Sequence, residues 1–110
     1  MIDWDRVAEL RNEVGEEDFF EVVGLFFEES DEVADRLKLA PDRRRFEEDM
    51  HFLKGSALSL GFRALSEICQ YGEKAAAAGR PELVDLPRVI AIYENSKIEF
   101  LRSSGITSAA

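Results

Sequence analysis

The stretch His51-Phe52-Leu53-Lys54-Gly55-Ser56-Ala57-Leu58-Ser59-Leu60-Gly61-Phe62 decides how this chain is read. With the residues just before it, it sets Phe46, Met50, Leu53, Ala57 and Leu60 at spacings of three and four, the inward face of an α-helix. Gly61 ends that helix. His51, Lys54, Gly55 and Leu58 fall on a different face, at spacings of three, four and seven. The one histidine of the chain therefore stands at the edge of the buried stripe or outside it. Gly55 is out of place in mid-helix, where it costs about 1 kcal/mol relative to Ala. A side chain missing one turn from the imidazole leaves a bulky group room to approach the ring.

The flanking sequence extends the helical reading in both directions. Upstream, Gly15 precedes Glu16-Glu17-Asp18, a helix opening with acids where the helix dipole favours them. Phe19, Val23, Phe26, Val33 and Leu37 follow on one face, with Phe20 and Phe27 on an adjoining stripe. Ala40-Pro41-Asp42 breaks this helix, and Asp42 is a good N-cap for the next. Before it, a short helix around Asp3 to Asn12 would pack Trp4, Val7 and Leu10 on the end of the molecule.

Downstream, a helix from about Arg63 carries Leu65, Ile68, Cys69 and Tyr71, with Gly79 as its cap and Pro81 beyond. The last helix, from about Leu86 to Arg102, turns Val89, Ile92 or Tyr93, Ser96 and Phe100 inward. Gly24 and Gly72 lie inside helices and call for close helix approach. Residues 103–110 have nothing to pack against and are expected to fray. Nothing alternates at period two. The expected fold is all-α: an antiparallel up-down four-helix bundle with a short additional N-terminal helix, one domain over 1–110.

Composition removes most other functions. The chain has 110 residues and a net charge of -9, which would repel a phosphate backbone, so nucleic acid is not an expected partner. One cysteine, Cys69, and one histidine exclude an internal disulfide, a four-thiolate zinc site and multi-histidine metal sites. The acidic start Met1-Ile2-Asp3-Trp4-Asp5 is unlike a signal peptide, and no apolar run approaches the ~18–20 residues of a membrane helix. A cytoplasmic, free-standing, monomeric protein is expected. The charge is uneven: 13 acids and two arginines from Asp3 to Asp35, but seven bases and five acids from Arg43 to Arg80.

The surroundings of His51 suit phosphoryl chemistry. A neutral imidazole, ordinarily titrating at about pH 6.5, is a competent nucleophile near pH 7. Phosphoryl transfer passes through a loose transition state, so positioning and charge compensation outweigh a local base. Lys54 can screen phosphoryl oxygens, and Ser56 can add a hydroxyl contact or cap locally. Glu73 and Gln70, one turn apart on the following helix, are the candidates to hold the other ring nitrogen. Cys69, with nothing basic beside it, reads as a small core residue.

His51, Leu53, Lys54, Gly55, Ser56, Ala57 and Gly61 together resemble the signature of histidine-containing phosphotransfer (HPt) domains of two-component phosphorelays. The resemblance implies a phosphoprotein in which His51 is the phosphorylation site, Lys54 assists the phosphoryl group and Gly55 keeps the approach open. It places Glu73 where the family often bonds a Gln or Glu to the ring. It also implies shuttling of phosphate between response-regulator receiver domains, or between a receiver and a histidine kinase. A carrier of this kind is not an enzyme in its own right, and Mg²⁺ would come from the receiver. Phe20, Phe27 and Leu58 are candidates for an apolar docking patch beside His51. The alternative is a helical-bundle regulator that binds such partners without carrying phosphate.

Overall fold

A computed structural model describes residues 1–103. They form five α-helices: α1 (Trp4–Val14), α2 (Glu16–Leu39), α3 (Phe46–Leu60), α4 (Arg63–Ala77) and α5 (Leu86–Ser103). Short 3₁₀ turns at Arg43–Arg45 and Pro81–Leu83 lead into α3 and follow α4. The fold is an all-helical bundle, with no strand among the described residues. Ser103, placed in the expected tail, closes α5; residues 104–110 of that tail lie outside the described residues.

Local chemistry sets the boundaries. The Asp3 carboxylate accepts from the Arg6 N–H at 3.3 Å and caps α1. Asp42 accepts from the Arg44 N–H at 3.0 Å, so it caps the 3₁₀ turn that runs into α3 rather than α3 itself. Gly61 ends α3 in the left-handed region at φ 77°. It has a second task as well. A Cβ there would lie 2.6 Å from the Asp3 carbonyl oxygen, because the N-terminal segment crosses the α3–α4 turn. The Asp3 N–H donates to the Gly61 carbonyl at 2.7 Å, the Arg63 N–H donates to Met1 at 3.1 Å, and Ile2 bridges Phe62.

The core draws on every helix. Phe19, Val23, Leu37, Met50, Leu53, Leu60, Leu65, Cys69, Val89 and Phe100 are fully enclosed. Trp4 stacks on Phe100 at 5.8 Å between ring centroids, and Phe27 and Phe62 meet the same ring edge-on. Phe27 is thus core, 7% exposed, and not part of an exposed patch. At this level α2 turns toward Phe62 and Phe100, which draws Phe27 in and leaves Phe26, expected inward, half-buried at the edge. In α5 it is Tyr93 that points inward, while Tyr71 of α4 is exposed.

Ion pairs lock the helices in register. Arg36 of α2 reaches the buried carboxylate of Asp49 on α3. Asp31 of α2 accepts from the Tyr93 hydroxyl and from Lys97 of α5, the latter at 2.6 Å. The two interior glycines differ. Gly72 is a true close approach, since a Cβ there would meet the Met50 side chain at 3.1 Å. Gly24, expected to serve the same purpose, faces open space.

Candidate functional site

The site is built where α3 and α4 lie closest. Missing its side chain, Gly72 lets α4 settle against Met50. The next residues on each helix, Glu73 and His51, are thereby brought together: Nδ1 of His51 lies 2.8 Å from Oε2 of Glu73. The other carboxylate oxygen, Oε1, forms an ion pair with the Lys54 ammonium at 2.6 Å. One carboxylate thus holds two groups that stand three residues apart on α3.

The electrostatics follow from this arrangement. The Lys54 ammonium holds the Glu73 carboxyl below the usual carboxylate range; burial opposes it, and the His51 hydrogen bond, weaker than burial, adds to the lowering. Glu73 is therefore ionised near neutral pH and can only accept. The proton in the 2.8 Å contact must then sit on Nδ1, which leaves the lone pair of a neutral ring on Nε2. The His51 side chain is 70% exposed, so that nitrogen faces solvent.

The remaining candidates divide clearly. Gly55 is exposed one turn from His51, with nothing within 4 Å of where its Cβ would be. Leu58, two turns along the same face, is 58% exposed and borders a pocket with Arg6, Gly61 and Arg63. Ser56 is buried; five residues from His51, it points roughly 140° away around the helix, so it makes no contact on the imidazole side. Gln70 is exposed beside Glu67, Tyr71 and Lys74, and the hydrogen bond to the ring is made by Glu73 instead. Phe20 is exposed, but 16 residues of helix, about 24 Å of rise, separate it from Arg36, whose partner Asp49 lies two residues before His51. It does not adjoin the histidine.

Two features of the site had no separate signal in the sequence. Asp49 anchors the first turn of α3 through Arg36, yet it reads like its exposed neighbours Glu47 and Glu48. Lys54 is tied back to Glu73 rather than standing free, a contact between residues 19 apart that spacing alone does not mark. The basic excess noted around the histidine is largely spent elsewhere: Arg44 pairs with Asp42, Arg45 with Glu48 and Arg63 with Asp3. Lys54 is the cation that the fold brings to the site.

A family model described as the Hpt domain matches residues 21–99, from the second turn of α2 to near the end of α5. The chain belongs to the Hpt domain family. No curated protein and no solved structure gave a significant match. Membership ties this Hpt chain to two-component phosphotransfer and to interaction with receiver or kinase domains; domains of this family are phosphocarriers rather than catalysts. No helix among the described residues is long and apolar enough to cross a membrane.

Proposed function

We propose that this Hpt domain accepts a phosphoryl group on Nε2 of His51 from a receiver aspartyl phosphate or a histidine kinase and passes it to another receiver. The carrying observation is the pairing of a solvent-facing Nε2 with an Nδ1 held by an ionised Glu73. In the forward step the Nε2 lone pair attacks phosphorus, an N–P bond forms, and the P–O bond to the donor aspartate breaks. The aspartate leaves as a carboxylate. The ring, now substituted at Nε2 and still protonated at Nδ1, carries a positive charge, and Glu73 stands opposite it. Lys54 keeps Glu73 charged and stands close enough to turn toward the phosphoryl oxygens. Gly55 leaves the approach open, and Leu58 offers the receiver an apolar contact on the same face.

Transfer to the next receiver reverses these bonds on a new aspartate, with Mg²⁺ supplied by the receiver. The same reading takes α2 to α5 as an antiparallel up-down four-helix bundle with α1 across one end. It takes residues 1–110 as one domain, working as a monomer in the cytoplasm. The two-residue link between α3 and α4 and the Arg36–Asp49 pair support that arrangement. Incubation with a receiver charged by a small phosphodonor tests the function. An adduct labile in acid and stable in base is expected, and His51→Gln should abolish it. Equal labelling of that variant would refute the proposal.

A further inference from the structure

The outer face of α2 has no partner within the described chain. Phe20 and Leu25 are 52% and 54% exposed, and the half-buried Phe26 joins Val22, Leu25 and Glu29 around a shallow cavity of about 210 Å³. Gly24 is not part of that cavity; it projects between Phe20 and Leu25 on the outer side of the helix, with open space where a side chain would be. A glycine inside a helix weakens it, and no neighbouring backbone here accounts for one.

The charge on this face is one-sided. From Glu16 to Asp35, α2 carries nine acids and no base. Within the described residues, Glu16 pairs with Arg11 and Asp31 with Lys97, which leaves Glu17, Asp18, Glu21, Glu28, Glu29, Glu32 and Asp35 without an ion-pair partner. Glu17, Glu21, Gly24 and Glu28 follow one another at spacings of three and four, so acids run above and below the glycine along the helix.

We propose that this face docks a basic amphipathic helix of a partner protein. Its apolar side chains lie against Phe20 and Leu25, its backbone comes close over Gly24, and its lysines or arginines meet Glu17, Glu21 and Glu28. Charge selects this occupant over a second copy of the chain, which would set these acids against themselves. The proposal is independent of phosphoryl chemistry at His51, since Phe20 and Gly24 lie toward the other end of α2 from Arg36.

Titration of the ¹⁵N-labelled full chain with an 18-residue Leu/Lys amphipathic helical peptide tests it, beside a scrambled peptide of the same composition. Shift changes are expected to centre on Phe20, Gly24, Leu25 and Glu28, with at least tenfold weaker binding of the scrambled peptide. The Phe20→Ser/Leu25→Ser variant should keep its helical circular dichroism yet bind at least tenfold more weakly. Gly24→Leu, which fills the gap and favours helix, should weaken binding at least fivefold. Equal affinity for both peptides, or shifts spread over the acids of α1 and α5, would reduce the effect to bulk charge and overturn the proposal. So would dimerisation of the wild-type chain that disappears in the double variant, because the face would then belong to a second copy.

Discussion

Two clusters in this molecule are built from the same parts. On the α2–α5 side, Asp31 holds the ring-bearing Tyr93 and the cation Lys97. On the α3–α4 side, Glu73 holds the ring of His51 and the cation Lys54. The difference lies in what the ring has left over. Tyr93 is buried, and its hydroxyl, pushed to a higher pKa chiefly by burial and then by Asp31, is used up in the contact. His51 gives one nitrogen to the carboxylate and presents the other to solvent. A carboxylate bridging a ring and a lysine makes a closed clamp in the first case and leaves a ring nitrogen free in the second.

The comparison is open to direct attack. The largest effect should come from exchanging the two rings' roles in experiment: His51→Gln should lose phosphoryl acceptance altogether while its stability shifts by no more than about 0.5 kcal/mol. Asp31→Ala should do the opposite, accepting phosphate at the wild-type rate but losing about 1–3 kcal/mol in urea denaturation, because the buried Tyr93 hydroxyl is left without its acceptor. Slower transfer in Asp31→Ala would erase the distinction between clamp and site. Next in size, Gly61→Ala should cost about 2–4 kcal/mol, since it combines a left-handed backbone with a clash against the Asp3 carbonyl; thermal melting reads this.

Glu73→Gln separates charge from shape. It keeps an acceptor for Nδ1 but removes the charge that faces the phosphorylated ring, and transfer should slow by about tenfold. Its effect on stability has a defined pH window. The Glu73 carboxyl titrates below its ordinary 4.5 in the fold, so its stabilising contribution is complete above that value and is lost as pH falls through the folded pKa. The stability gap between wild type and Glu73→Gln should stay level from pH 5 to 7 and close in more acidic solution. The smallest effects concern the two exposed glycines. Gly24→Ala and Gly55→Ala should each stabilise the chain by up to about 1 kcal/mol, and of the two only Gly55→Ala should slow transfer from a receiver.

Much of this was legible in the residues. Five helices, the glycines Gly15 and Gly61 that bound two of them, the inward stripe of α3 and the exposure of His51 all follow from spacing and turn chemistry. Spacing on one helix does not reveal which neighbour lies opposite, and the departures arise there. Phe26 and Phe27 both fall on the apolar arc of α2, and the rings of Phe62 and Phe100, remote in sequence, chose Phe27. Gly24 and Gly72 look alike in sequence; only the position of Met50 tells a close approach from an exposed gap. The tie between Lys54 and Glu73 likewise joins two helices and leaves no local pattern. Gly61 was readable as a helix terminator, but its contact with the Asp3 backbone was not.

The central claim is that Glu73 holds the proton on Nδ1 so that phosphate is carried on Nε2. Long-range ¹H–¹⁵N correlation of the imidazole in the protein labelled at its single histidine, before and after phosphorylation by a receiver, tests it most directly. The account predicts a protonated Nδ1 in both states and a phosphorus coupling on Nε2 alone. Phosphate on Nδ1, or an imidazole unchanged while the protein becomes labelled elsewhere, would contradict it.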